Sequence, residues 1–241
     1  MNWRAAANTL LSSLFEPPCA ACSGVLPHPL DGAVCEACWA RVRLLASPPS
    51  GFVTNGRSLD ALCAIGEYEG CLRDIIHALK YERRRSIAPT LGALMRAAGA
   101  HLLHDADVVV PVPLHPRRQR VRGFNQAEDL ARALGPPVSK VLKRVVATVP
   151  QVDLPAAERH RNVRDAFRLA VPTGSALPTG SAFPTIPWLI PTRMKLPAVF
   201  VLVDDVSTTG ATLDACARVL KAAGAREVRA VTAARVATAW R

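Results

Sequence analysis

The segment that most constrains this chain lies near its C-terminal end. A continuously apolar run at 199–203 leads into Asp204 and Asp205, and residues 206–212 then read Val-Ser-Thr-Thr-Gly-Ala-Thr before a helical pattern. A helix N-terminus offers unpaired N–H groups to a phosphate, and Gly210 lets the backbone come close to it. Two carboxylates at a strand end can accept hydrogen bonds from a sugar diol. The order strand, acidic pair, loop, helix therefore predicts a site for a phosphorylated sugar.

The simpler alternative is an acidic strand end before an ordinary capped helix, and a Walker-type loop fits poorly because Gly-Lys-Ser/Thr is absent. The segment closely resembles the motif with which type I phosphoribosyltransferases bind 5-phosphoribosyl 1-diphosphate (PRPP). That resemblance implies that Asp204 and Asp205 form the catalytic pair and hold the ribose hydroxyls. It also implies that the 5′-phosphate is wrapped by Val206, Ser207, Thr208, Thr209, Gly210, Ala211 and Thr212.

A second prediction concerns metal. Four of the seven cysteines form two pairs, Cys19-x-x-Cys22 and Cys35-x-x-Cys38. Paired thiolates at this spacing match tetrahedral zinc. Disulfides and redox dithiols are the alternatives, and the absence of a secretion signal disfavours disulfides. We predict a structural Zn²⁺ whose four thiolates leave no open catalytic position.

Charge and hydropathy limit the partners. The net charge is +11, with basic clusters at 83–85, 117–122 and 159–168, which favours nucleic acid or polyphosphate metabolites. Aromatic residues make up 5% of the chain, which weakens a base-stacking interpretation. No apolar run reaches membrane-spanning length. We expect a cytoplasmic chain without membrane insertion. Its N-terminal helix, at 2–15, should dock on the protein through a face that contains Trp3, Ala7, Leu10, Leu11 and Leu14.

The chain divides into a helix and zinc knuckle at 1–44, a linker at 45–58 and a main domain at 59–241. In the main domain strand and helix patterns alternate, which predicts an α/β fold with a mostly parallel sheet. The repeat Pro-Thr-Gly-Ser-Ala within 172–197 predicts a flexible insertion. The predicted strands lie at 62–68, 108–112, 138–142, 199–203 and 227–231, and the helices at 71–81, 87–103, 126–134, 155–163 and 213–223.

A basic segment follows the strand predicted at 108–112. The sequence there reads Pro-Val-Pro-Leu-His-Pro and continues with four arginines within 117–122. Clustered guanidinium groups after a strand end can grip a diphosphate. A solvated, basic helix start is the alternative. The residues expected on the pyrophosphate side are Pro113, Leu114, His115 and Arg117.

Together these motifs resemble the ComF family, also called ComFC- or GntX-like, whose members are phosphoribosyltransferase-like and associated with DNA uptake in natural transformation. Further matches to the family pattern are Lys80, Tyr81, Arg144, Thr148, Gln151, Arg159, Asn162 and Phe167. The resemblance implies a type I phosphoribosyltransferase fold with a zinc ribbon, PRPP bound with Mg²⁺, and a closing loop at 144–165.

Two functions are consistent with this sequence. One is an enzyme that replaces the C1 pyrophosphate of PRPP with an unidentified nitrogen nucleophile through an oxocarbenium-like centre. The other is a non-catalytic module that binds single-stranded DNA through its arginines and bridges competence proteins. The Asp pair and threonines favour an intact phosphate site, but the sequence carries no signature for an acceptor base.

Overall fold

The computed structural model describes residues 3–45, 58–146, 165–170 and 199–236. In this part of the chain the helices are α1 (Trp3–Phe15), α2 (Glu36–Ala40), α3 (Gly70–Tyr81), α4 (Ile87–Ala98), α5 (Ala100–Leu103), α6 (Pro116–Arg122), α7 (Gln126–Ala131) and α8 (Ala211–Ala222). The strands are β1 (Ala61–Glu67), β2 (Val108–Pro111), β3 (Leu142–Arg144), β4 (Phe167–Leu169), β5 (Val199–Ser207) and β6 (Glu227–Arg235).

A four-stranded parallel sheet in the order β1-β6-β5-β2 forms the centre of the main domain, as the apolar strand patterns predicted. Successive side chains of β5 enter opposite cores. Val201 and Val203 pack with residues of α3, α4 and α7, whereas Phe200 and Leu202 pack with residues of α8 and of the β3–β4 pair. Both faces are therefore covered, which explains why the strand is apolar at consecutive positions.

Several predicted elements differ from the structure, and three of the differences bear on the site or the sheet. The helix predicted at 87–103 is interrupted at Gly99, where an added Cβ would lie 3.0 Å from Cγ2 of Val231 on the neighbouring β6. The strand predicted at 138–142 is displaced to β3, and Val138 makes only an isolated bridge to Val109. Strand β5 continues four residues beyond 203, through the acidic pair to Ser207.

The N-terminal helix forms, but the apolar face that was expected to dock on the protein is largely exposed. Trp3, Leu10 and Leu14 are 72%, 60% and 65% exposed. The helix is instead held by its polar side, where the amide of buried Asn8 accepts the Leu30 N–H at 2.9 Å and donates to Asp31 at 3.3 Å. Buried polar groups need partners, and these two bonds satisfy the Asn8 amide at both ends.

The N-terminal segment pairs with strand β1 at residues 44 and 45, where the predicted linker starts. Leu44 forms an antiparallel bridge with Gly66, and the Leu45 N–H donates to the Ile65 carbonyl at 2.8 Å. Most of the linker, the helix predicted at 155–163 and the insertion at 172–197 lie outside the described residues. Among the helices that the structure describes, none combines the length and apolar character needed to cross a membrane.

Candidate functional site

The acidic pair lies inside strand β5 rather than in the loop after it. Because side chains alternate along a strand, Asp204 and Asp205 project to opposite faces of the sheet. Asp205 shares the face of Val201 and Val203, beneath α3, and Asp204 shares the face of Leu202, beneath α8. The structure thus brings both predicted carboxylates to the carboxyl end of the central strands, but it gives them different surroundings.

On the α3 face, Asp205 forms an ion pair with Lys80. The Lys80 Nζ lies 2.9 Å from Asp205 Oδ1, and the two side chains are 15% and 5% exposed. Burial alone would lower the pKa of Lys80, but the nearby Asp205 charge raises it above its usual value. Asp205 Oδ2 is buried and has no hydrogen-bond partner among the described residues. One oxygen of this carboxylate is therefore fixed while the other remains able to accept a bond.

On the α8 face, Asp204 is a carboxyl group in an unfavourable place for a charge. Burial, followed by repulsion from Asp205, raises the pKa of Asp204 to about 7, against the opposing influence of Lys80 and Arg144. Thr232 of β6 is its register partner, and the Thr232 hydroxyl is buried with no partner among the described residues. Cys216 of α8 lies on the same face, and burial raises the pKa of its thiol well above the ordinary value. This face has polar atoms that a ligand could satisfy.

The predicted phosphate loop is short and leads directly into α8. Gly210 adopts a left-handed conformation with φ of 74°, which favours glycine, and α8 begins at the next residue. The Thr209 hydroxyl accepts the Ala211 N–H at 3.4 Å, which fixes the turn. Thr208 and Thr212 are partly exposed on either side of it. Residues 208–212 thus form a helix N-terminus with hydroxyl groups around it, as an anion site requires.

The predicted pyrophosphate side lies at the same edge of the sheet. Strand β2 pairs with β5 in parallel, so Pro113, Leu114 and His115 follow β2 at the edge where Asp204 and Asp205 lie. His115 caps α6, since its Nδ1 accepts the Arg117 N–H at 3.2 Å. The Arg117 side chain is exposed. One ring nitrogen of His115 is therefore committed to the helix cap.

Three buried polar residues of this edge were not among the predicted site residues. Asn125 caps α7 through Ala127 and donates to the Val112 carbonyl at 3.0 Å, so it anchors the chain after β2. Arg144 lies over the Phe167 ring at 5.3 Å, and burial lowers its pKa. Lys80 is the third. Lys80 and Arg144 are among the residues that match the ComF family pattern, which was the available signal for those two.

The four predicted zinc ligands are brought together. Cys19 and Cys22 lie in a tight turn, Cys35 caps α2 and Cys38 lies within it, and the four sulfurs are all within 4.8 Å of one another. Sulfurs bound to one zinc at about 2.3 Å would lie about 3.8 Å apart. The separation of Cys22 and Cys35 is 3.9 Å. The cluster fits a zinc ribbon.

Two basic clusters that are distant in the sequence meet on one surface. Arg83 donates to the Val121 carbonyl at 3.0 Å, and the Arg122 guanidinium carbon lies 5.3 Å from the centre of the Tyr81 ring. Tyr81 is 64% exposed and Val121 is 74% exposed. The low aromatic content weakened a base-stacking interpretation of the basic clusters, but on this surface one exposed tyrosine does lie beside an arginine. We call these four residues the Tyr81 surface.

Known proteins resemble the chain over most of its length. The family model described as phosphoribosyl transferase domain matches residues 121–241. Competence protein F of Haemophilus influenzae is 30% identical over 86% of this chain and 87% of its own length. DNA utilization protein YhgH of Escherichia coli is 33% identical over 70% of this chain and 69% of its own length.

A shorter match extends to a more distant relative. Competence protein ComFC of Streptococcus pneumoniae is 29% identical over 50% of this chain and 44% of its own length. A solved allosteric regulatory enzyme of purine biosynthesis aligns with 61% of this chain and 26% of its own, at 19% identity and a TM-score of 0.33.

Proposed function

Because this chain belongs to the ComF family and has a phosphoribosyl transferase domain, we propose that it binds PRPP at the carboxyl end of β5 and acts in DNA uptake. The link to DNA uptake rests on relatives named competence protein F and DNA utilization protein. The observation that carries the PRPP assignment is the placement of Asp204 beside a hydroxyl-rich N-terminus of α8.

Each part of PRPP has a matching group at this edge. The N–H groups and hydroxyls of 208–212 suit the 5′-phosphate, and Asp204 on the α8 face suits the ribose hydroxyls. The segment 113–117 suits the pyrophosphate, with the Arg117 guanidinium free of the core. Bound Mg²⁺ would neutralise pyrophosphate charge and would be held chiefly by substrate oxygens. Catalysis, if an acceptor is supplied, would consist of positioning and charge stabilisation.

We further propose that Cys19, Cys22, Cys35 and Cys38 hold one structural Zn²⁺. Amide N–H groups from Cys35 and Ala21 donate to the Cys19 sulfur. Burial raises the pKa of Cys19, but these donors outweigh it and bring the pKa to about 6. Such donors stabilise a thiolate, which is the form that binds metal.

Calorimetric titration with PRPP and Mg²⁺ tests the assignment. The wild-type protein should bind, and the double variant Asp204→Ala, Asp205→Ala should not bind while its far-ultraviolet circular dichroism is unchanged. Asp74→Ala, which changes a carboxylate bonded to the neighbouring Arg73, and exposed Asp165→Ala together serve as a charge-matched control that should bind normally. Wild-type-like binding by the 204/205 variant would show that the site is elsewhere. Release of pyrophosphate on addition of candidate acceptors would identify transferase activity.

A second function, binding of single-stranded DNA, is favoured by the Tyr81 surface. Exposed aromatic rings flanked by arginines provide base stacking together with phosphate contacts. Fluorescence anisotropy with an oligonucleotide should give an affinity that falls with salt, with a log–log slope of about −0.7 per phosphate contact. Tyr81→Ala should weaken binding and Tyr81→Phe should retain it. Binding indifferent to salt would refute this function, and competition by PRPP would place the DNA in the PRPP site.

A further inference from the structure

Lys80 reaches the acidic pair from the face opposite the phosphate loop. It lies in the last turn of α3, and its Nζ approaches within 2.9 Å of Asp205 Oδ1. The same nitrogen lies 6.0 Å from the centre of the Tyr68 ring. Desolvating a lysine costs free energy unless an opposite charge compensates, and here Asp205 supplies that charge. The chain thus maintains a nearly buried ion pair directly behind Asp204.

The two carboxylates therefore differ in the groups that surround them. Asp205 is held on the α3 face by a cation, whereas Asp204 faces α8, where the phosphate loop begins. The groups that face or influence Asp204 are Asp205 along β5, Lys80 from α3, Arg144 from β3, and Thr232 and Cys216 from β6 and α8. Arg118 of α6 adds to the positive potential around Arg144. Lys80 and Arg144 are the cations that favour the charged form of Asp204.

We propose that Lys80 is a positioning residue of the ribose site, which fixes Asp205 on the α3 face and acts across β5 to keep Asp204 available as the ribose-binding carboxylate. The assignment of the ribose rests on the proposed function. The effect of Lys80 on Asp204 does not, because it concerns only groups of the free protein.

Removal of Lys80 should change the charge state of Asp204. Repulsion between the carboxylates would then be opposed only by Arg144 and by the Asp205 N–H, which donates to Asp204 Oδ1 at 2.9 Å, so the pKa of Asp204, already about 7, should rise. A rise of about one pKa unit would cut the ionised fraction roughly eightfold near pH 6.5 and only slightly near pH 8.5. PRPP affinity should follow that fraction. A residue that only supported the fold would weaken binding equally at both pH values.

The test is a carbon-13 NMR titration of the Asp204 carboxyl in wild-type protein and in Lys80→Met. Lys80→Arg should rescue the wild-type midpoint, and Lys140→Met, which removes an exposed lysine, is the matched control. Asp205→Asn removes the repelling charge and should lower the Asp204 midpoint, opposite to the effect of Lys80→Met. The Asp205→Asn variant tests the proposal even if Lys80→Met does not fold. An Asp204 midpoint that Asp205→Asn leaves unchanged would show that the Lys80–Asp205 ion pair does not influence Asp204 across the strand.

Affinities for PRPP with Mg²⁺ complete the experiment. The expected result is a loss of affinity by Lys80→Met of about eightfold near pH 6.5 and less than about twofold near pH 8.5. An unchanged Asp204 midpoint in folded Lys80→Met would overturn the proposal, whether or not PRPP binds. A midpoint that rises while wild-type protein fails to bind PRPP would support the action of Lys80 on Asp204 and refute only the proposed ligand.

Discussion

The segment of residues 3–45 and the sheet domain are stabilised in different ways. The sheet buries aliphatic side chains on both faces, and its central strand contains five consecutive fully buried residues, 199–203. The N-terminal segment buries few apolar side chains apart from its cysteines, and α1 exposes most of its large ones. Its turns bring four sulfurs together. Apolar burial holds one region, and we propose that metal holds the other.

The largest predicted effect separates these two regions. Cys22→Ser should unfold residues 3–45 but leave the sheet intact, because structural zinc supplies folding free energy that this short segment cannot obtain from a core. Cys71→Ser, which changes a cysteine outside the cluster, should leave both regions folded. Amide hydrogen exchange resolves the regions, and metal analysis should find about one zinc per chain. Purified wild-type protein without zinc would contradict the proposed metal site.

The prediction of intermediate size concerns the carboxyl end of the sheet, where the charge of Asp204 lowers the free energy of unfolding. The pKa of Asp204, about 7, exceeds that of an unfolded aspartate. Its contribution to the free energy of unfolding is therefore complete below about pH 4 and is lost as pH rises through about 7. Asp204→Asn cannot titrate, so its melting temperature relative to wild type should increase between about pH 5 and pH 8. A difference in melting temperature that does not change with pH would show that folding does not raise the pKa of Asp204.

The smallest predicted effect concerns the exposed face of α1. Leu10→Ser with Leu14→Ser should change stability by no more than about 0.5 kcal/mol per site, as surface substitutions usually do. Asn8→Ala should cost more, because it leaves the Leu30 N–H and Asp31 without their partner. Thermal unfolding measures both. A larger loss from the leucine pair would mean that this face is covered in solution.

The sequence predicted the parallel sheet well because long apolar runs report burial on both faces directly. It also predicted that the four paired cysteines lie together, because cysteine spacing is a local signal. Residue periodicity could not show that β5 continues to Ser207, since that depends on pairing with Arg235 of β6. The docking face of α1 was predicted wrongly for a related reason. Apolar spacing indicated a buried stripe, but the bonds of Asn8 to residues 30 and 31 determine the orientation.

The sequence predicted that the acidic pair lies at the carboxyl end of the central strand, but it did not predict that the two side chains project to opposite faces. Asp204 and Asp205 are adjacent in sequence, and only the continuation of the strand separates them. Lys80 is distant along the chain from Asp205 and is brought there by packing of α3 on the sheet. No spacing rule connects those positions, so the sequence indicated Lys80 only as part of a family pattern and did not indicate the ion pair.

The most direct test of the account is to bind PRPP in parts and follow backbone amides by NMR. Ribose 5-phosphate should shift the amides of 208–212 at the N-terminus of α8, because that loop is proposed to hold the 5′-phosphate. Pyrophosphate with Mg²⁺ should instead shift residues 114–118 at the start of α6. The account predicts these two separate responses, and complete PRPP should produce both. Ribose 5-phosphate that leaves 208–212 unmoved, or moves only the Tyr81 surface, would contradict it.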